Sequence, residues 1–457
     1  MFLSSVMGAG MMGFGEEVKR PAKQNNPTWQ YSCRVVFALP PFPPCILPPN
    51  AHYARMKTRL PVLFIIITVA MDSIGVGLMM PVMPDLIREI TGQTVSEAAF
   101  WGGMMAFTYA GMQFLFGPTV GNLSDRFGRR PVLLTSLVIM SISYLIFAQA
   151  QVIWLLFVAR VITGITGATF ATANAYMADI TPADKRAASF GMIGAAFGVG
   201  FIIGPAIGGM LGQLGPRAPF YAAALVAALN AGFGYFFLPE TLTPAKRRSF
   251  DLGRINPFTA LMRLRHVPEI GSLALAFFLF SISQNVYASI WPYYTEAQFG
   301  FDAGMIGISL AVFGLFMALV QGGLIRVVIP RFGEWNTARA AFALNTVILL
   351  ITGFITSSVM LFLLMPLMSL GIIASPALKG MMSEATSDAA QGELQGVLSS
   401  VQGLGMIISP LLMTSLFRVF TSKAAPVYLP GAPFIAAATL SATALVILVV
   451  SRAKPQP

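Results

Sequence analysis

Charge is scarce in this sequence. Asp, Glu, Lys and Arg make up 10% of its 457 residues, against about 25% in a soluble globular chain. Histidine and cysteine number two each, too few for a histidine-built metal centre. Cys33 and Cys45 stand beside the proline-rich "LPPFPPCILPPN" and make a weak case for a disulfide or a metal clip. No acid pair with catalytic spacing lies in an apolar run, so neither an enzyme nor a bound metal or organic cofactor is expected. Residues 1–55 also lack the order of basic start, apolar run and small-residue cleavage site that marks a secretory leader. The stretch "MKTRLPVLFIIITVAMD" from Met56 reads as a natural start of translation.

Apolar surface is what the chain has in excess. Hydrophobic residues are 56% of it, more than a soluble core can use. The hydrocarbon core of a bilayer is about 30 Å thick, so one helical crossing takes roughly 20 apolar residues. Backbone groups in lipid must pair within their own segment or in a closed barrel. The runs here are continuous rather than alternating, which points to helices. Twelve fit, near 60–81, 99–120, 131–150, 153–177, 189–212, 218–238, 270–293, 303–326, 337–356, 359–381, 393–416 and 432–451. The expected fold is all-α and integral to the membrane. It has a disordered tail at 1–56, a six-helix bundle at 57–238, a polar linker at 239–269, a second six-helix bundle at 270–452 and a short tail at 453–457.

Lys and Arg set the orientation, because they stay in cytoplasmic loops. The tail and the even-numbered loops hold Arg126, Arg129, Arg130, Lys185, Arg186, Lys246, Arg247, Arg248, Arg331 and Arg339; the odd-numbered loops hold Arg88, Arg217, Arg418 and Lys423. Both termini are therefore expected in the cytoplasm. The net charge of +11 is this bias, and no nucleic-acid partner is expected.

The two halves repeat. Arg126-Phe127-Gly128 returns as Arg331-Phe332-Gly333, an offset of 205 (331 − 126). Pro205 returns as Pro410 and Gly191 as Gly396 at the same offset, and "APFYAAAL" from Ala218 returns as "APFIAAAT" from Ala432. Duplicated halves with a midplane site suit alternating access, in which the site opens to one side and then the other. In that frame "GNLSDRFGRR" is a charged turn between the second and third spans, with Gly121, Asp125, Arg126, Gly128, Arg129 and Arg130. Asp125 can accept from Arg129 or Arg130, or cap a helix start. The knot can act as a cytoplasmic latch where the bundles meet in the outward-open state; the plainer reading is a loop that only fixes topology.

Asp72 and Arg160 lie well inside spans one and four, where an unpaired charge is costly and marks a functional site by default. A carboxyl out of water favours its neutral form, and a neighbouring cation favours the charged form. Asp72 can therefore carry a proton that a cationic substrate or Arg160 displaces; a structural pair or helix clamp is the alternative. Polar candidates for a substrate cavity are Tyr109, Gln113, Gln284, Asn285, Met317, Gln321, Asn345 and Gln402. In the fifth span Gly191, Gly200, Gly204 and Gly208 sit mostly four apart, which favours close helix packing in lipid, and Pro205 bends the span.

These residues carry a resemblance. "GNLSDRFGRR", "LFVARVITGITGA" and the fifth-span pattern Gly191, Gly200, Gly204, Pro205, Gly208 and Gly209 resemble the major facilitator superfamily, specifically its twelve-span drug:proton antiporters. "MDSIGVGLMMPVMPDLIREI", "NAYMADITPADKRAASFG", "FGLFMALVQ" and "QGELQG" resemble the tetracycline-resistance efflux branch. That branch has a histidine at the position of Met317 and aspartates at those of Asn345 and Ser143. Here all three are uncharged, which weighs against tetracycline itself.

The resemblance implies a secondary transporter of the bacterial inner membrane. It would export a small amphipathic molecule or drug by alternating access in exchange for protons, with the proton gradient as energy source. A proton-coupled or facilitative uptake carrier for a metabolite is the alternative. The expected partners are one small-molecule substrate, protons and the bilayer. A monomer is expected, since each chain holds a whole two-bundle unit.

Overall fold

The apolar runs are helices in a computed structural model. It describes residues 51–167, 169–182, 185–242, 247–248, 270–387 and 390–452. Cys33, Cys45, Lys246, His266, most of the linker and the residues after Arg452 lie outside them.

The first half contains α1 (Ala51–Met79), α2 (Met83–Thr91), α3 (Val95–Phe127), α4 (Arg129–Gln149), α5 (Ile153–Thr166), α6 (Thr169–Ile180), α7 (Arg186–Gly212) and α8 (Ala218–Phe237). The second contains α9 (Gly271–Gln284), α10 (Val286–Phe299), α11 (Ala303–Leu319), α12 (Ile325–Phe332), α13 (Glu334–Phe354), α14 (Ser358–Leu370), α15 (Ala374–Glu384), α16 (Gln391–Thr421) and α17 (Ala432–Arg452). Several spans are two helices end to end, as with α1 and α2 across a 3₁₀ turn at Met80–Val82. Among the described residues, eleven helical runs are long and apolar enough to cross a membrane. The twelfth span is α3, 33 residues long, whose turn-ward end carries Asp125 and Arg126.

The repeat expected from the sequence is written into the helix boundaries. Arg129, Ile153 and Arg186 open α4, α5 and α7; Glu334, Ser358 and Gln391, each 205 positions later, open α13, α14 and α16. Gly128 and Gly333 end the preceding helices with φ of +112° and +74°, a backbone that L side chains resist.

Within the first half α1 packs on α7 and α8, and α4 on α8; within the second α17 packs on α9 and α13. The halves meet along two seams, α3 with α16 and α7 with α11. The fifth-span glycines divide between these tasks. A Cβ on Gly200 or Gly204 would stand 2.5 Å from the Ala70 carbonyl oxygen or 2.7 Å from that of Ile74, and one on Gly208 would strike the Leu78 carbonyl. All three therefore fix α7 to α1 inside the first half. The inter-half seam uses Gly209 and Gly212, whose Cβ atoms would meet Ala303 at 2.5 and 3.0 Å. Gly191 has nothing within 4 Å. Gly200, Gly204 and Gly208 thus share the one face read from the sequence, and Gly209 and Gly212 form a second face that the four-residue spacing did not include.

Candidate functional site

Side chains spaced three and four apart share a helix face, and the second half uses that face to build a cavity of about 290 Å³. Phe277, Phe280, Ser281, Gln284, Ala288 and Trp291 come from α9 and α10, with Asn285 at their junction and Tyr287 beside them. Leu310, Phe313 and Met317 of α11, then Ile372, Ser375 and Gln402, complete that wall; the first half adds Met80, Phe197 and Phe201. No lining side chain carries a charge. The aromatic wall is set: Trp291 Nε1 donates to Ser309 Oγ at 2.9 Å, and the Tyr287 and Phe313 rings lie 5.3 Å apart. Tyr287 Oη and Gln284 Oε1 are buried without a partner. A buried polar atom left unmatched costs about 1–3 kcal/mol, so this pair suits a ligand that brings its own acceptor and donor.

Of the sequence candidates, Gln284, Asn285, Met317 and Gln402 line this cavity. The others stand elsewhere. Gln113 donates to the Gly167 carbonyl at 2.9 Å, and Tyr109 lies against Arg160, both in the first half. Gln321 is exposed on a π-helical turn, Val320–Leu324. Asn345 is 1% exposed and donates to Ser441 Oγ at 3.1 Å, a packing role between α13 and α17.

Asp72 and Arg160 were expected to face the central cavity together; they do not. Asp72 occupies a smaller pocket inside the first half, walled by Leu137, Met140 and Tyr144 of α4 and by Ala223, Ala227 and Asn230 of α8. Its Oδ1 and the Oδ1 of Asn230 are both buried without a partner, while Asn230 Nδ2 donates to the Thr68 carbonyl at 3.1 Å. Arg160 Cζ stands 5.1 Å from the Phe147 ring centroid and 5.8 Å from that of Tyr109, with Nε buried and unmatched. Tyr109 and Tyr144 lie within electrostatic range of both charges, and Tyr293 of the second half reaches Arg160. The two charges are linked through tyrosines rather than paired.

The charged turn makes one of the bonds expected of it. Arg129 binds Asp125 at 2.6 Å and Asp179 at 3.2 Å. The main-chain N–H groups of Arg129 and Arg130 donate to the Glu240 carboxylate at 3.0 and 3.2 Å. Arg130 turns to the Tyr235 carbonyl at 2.6 Å instead of Asp125, and Arg126 lies over Phe127 at 5.2 Å. A Cβ on Gly128 would strike Glu240, and Gly121 has nothing within 4 Å. Among the described residues these bonds close the turn on its own half; the latch expected of the outward-open state is not made in this conformation.

The halves are bonded together at the other end. There Arg88 pairs with Glu296, and Arg418 Nε donates to Glu97 at 2.8 Å. Ser96 Oγ donates to the Arg418 carbonyl at 3.2 Å.

The sequence and the fold match known proteins. The family model for the Major Facilitator Superfamily matches residues 65–410 and 273–457. The tetracycline resistance protein, class C, of Escherichia coli is 41% identical over 367 residues, spanning 80% of this chain and 92% of its own length. This chain belongs to the major facilitator superfamily, on its tetracycline-resistance branch. Multidrug resistance protein 2 of Bacillus subtilis (strain 168) is 27% identical over 350 residues, 75% of this chain and 85% of its own. The crystal structure of the human organic anion transporter MFSD10 (TETRAN) aligns with a TM-score of 0.64 at 25% identity, over 86% of this chain and 99% of that one.

Sequence reasoning passed over three features of this facilitator: the far-end ion pairs, the Tyr287–Trp291–Phe313 wall, and Lys379. The aromatic run "VYASIWPYY" was a usable signal for the second. Lys379 lies in the expected 359–381 span, near enough its end to read as ordinary loop charge.

Proposed function

We propose that this facilitator exports an amphipathic aromatic drug across the bacterial inner membrane by alternating access, as a monomer, in exchange for protons. One observation carries the reading: a neutral aromatic cavity lies on one side of a sealed seam between repeated halves. Along α7 the order is open glycines Gly191 and Gly194, cavity residues Phe197 and Phe201, then seam glycines Gly209 and Gly212. Along α11 it is seam glycines Gly304 and Gly307, then cavity residues Leu310, Phe313 and Met317. The cavity thus lies toward the end bearing Arg129 and Arg331. The positive-inside rule puts that end in the cytoplasm, and the conformation is inward-facing, ready to load from within. The tetracycline and multidrug resistance proteins among its relatives support export as the direction.

The chemistry follows from the residues. Aromatic faces and Met317 take an apolar ring system, and Gln284, Asn285 and Gln402 orient it. Asp72, isolated in its own pocket, carries the proton.

The test is a drug-susceptibility panel in a pump-deleted host with wild type and Asp72→Asn, backed by everted vesicles. Wild type raises the inhibitory concentration of at least one aromatic amphiphile and the variant does not. Failure across the panel, together with proton-driven accumulation of a metabolite by intact cells, would overturn the reading in favour of uptake.

A further inference from the structure

We propose that the second-half cavity binds a planar aromatic anion, with Lys379 as the cation that receives its carboxylate or sulfonate. The inference deepens the export reading and depends on it only for the direction of movement. Lys379 sits on α15 one turn beyond Ser375, a cavity residue. Its ammonium stands 5.4 Å from the centroid of the Phe277 ring, and Phe277 is itself a wall of the cavity. Lys379 is half-buried. Among the described residues no carboxylate pairs with it; Glu334, pressed against Gly380, and Glu384 are both beyond ion-pair reach.

A cation held in a spanning helix without a counter-charge is costly, and an anionic ligand supplies that counter-charge. A lysine that merely stretches toward headgroups would leave the rest of the site unexplained. Tyr287 is 8% exposed, lines the cavity and has an unmatched hydroxyl. Gln284 Oε1 beside it is unmatched too. The ligand is therefore flat, lies among Phe280, Trp291 and Phe313, meets Tyr287 and Gln284 along one edge, and directs its charge to the Lys379 rim.

Two probes with one ring skeleton test this: 8-anilinonaphthalene-1-sulfonate, which is anionic, and N-phenyl-1-naphthylamine, which is neutral. Binding to the purified full chain in nanodiscs is read by energy transfer from tryptophan, with empty nanodiscs subtracted. Wild type binds the sulfonate more tightly than the amine. Lys379→Gln weakens the sulfonate about tenfold, the worth of one charge-assisted hydrogen bond, and leaves the amine unchanged, while Lys379→Arg keeps the preference. Tyr287→Phe weakens the sulfonate without loss of fold, since its hydroxyl holds nothing in place. Equal loss of both probes in Lys379→Gln, a wild-type preference for the amine or for cationic ethidium, or an unaltered Tyr287→Phe would each overturn the proposal. Drug export without charge discrimination sinks this inference alone, and discrimination without export sinks only the export reading.

Discussion

A methyl group added at Gly209 should tilt the conformational equilibrium without unfolding the protein. The Cβ of Gly209→Ala would stand 2.5 Å from the Ala303 carbonyl oxygen and 3.1 Å from Gly307 Cα. Both are backbone atoms of α11, so no side chain can swing aside. Ordinary contact begins at 3.4 Å, so the seam must open by about 0.9 Å (3.4 − 2.5). Overpacking of this kind costs about 1–3 kcal/mol. The cost falls only on the state in which α7 and α11 touch, so the far-end-open population rises about 5- to 150-fold. Gly204→Ala is the control. Its Cβ would stand 2.7 Å from the Ile74 carbonyl oxygen, inside the first half, where α1 and α7 stay together in both states. That variant should melt earlier and leave the equilibrium alone.

The assay is cysteine labelling from outside the cell. Ser96 is 6% exposed and lies in the α3–α16 seam. Ser96→Cys, with Cys33 and Cys45 replaced by serine, reports each far-end opening to a membrane-impermeant maleimide. Gly209→Ala should label faster than its parent, and Gly204→Ala at the parent's rate. Equal labelling of parent and Gly209→Ala, or fast labelling of Gly204→Ala, would refute the two-seam reading.

Three further outcomes are expected. Glu97→Arg or Arg418→Glu alone should speed the same labelling several-fold, since an exposed pair of this kind is worth up to about 1 kcal/mol, and the double swap should restore the parent's rate. Gly128→Ala places a Cβ at φ +112° against Glu240; it should lower the melting temperature in detergent through strain of about 1–3 kcal/mol while leaving Ser96→Cys labelling unchanged. Asp72→Asn should abolish drug accumulation driven by a proton gradient in everted vesicles and spare drug–drug counterflow. Equal loss of both activities would assign Asp72 a structural role.

The fold was legible in the sequence because its signals are periodic and long. Runs of apolar residues announce spans, and the shared offset of Arg126 with Arg331 and Pro205 with Pro410 survives as shared helix starts. The site was legible only in part. Lipid is as apolar as the bundle interior, so a helix such as α11 gives no hydrophobic contrast by which to orient it. Gln284 and Gln321 looked alike in sequence; one lines the cavity and the other is exposed. The α7 stripe of Gly200, Gly204 and Gly208 was legible from its spacing of four, while the seam glycines Gly209 and Gly212 lie outside that spacing. The charged turn is a knot within its own half here; whether it also bridges the halves depends on a conformation that composition does not encode.

Divergence between the repeats is where coupling has to be sought. Counting back 20 positions from the paired helix-ending glycines Gly92 and Gly300 gives Asp72 in one half and Phe280 in the other. Counting from the paired helix starts Ile153 and Ser358 gives Arg160 and Met365. At these two positions the first half carries a charge and the second an apolar side chain, and Phe280 lines the aromatic cavity. Two paths lead from Asp72 to that cavity: α1 itself, which runs on to the wall residue Met80, and α7, which packs on α1. Across α7 the link is a hydrogen bond: Ser73, next to Asp72, donates its hydroxyl to the Phe197 carbonyl at 2.7 Å, and Phe197 is a first-half wall of the cavity. Neutralising or charging Asp72 shifts the polarity beside that bond, and α7 is also the helix whose Gly209 sets the seam with α11. On the role proposed for Asp72, proton state, cavity wall and seam meet on α7, the helix that also carries Pro205.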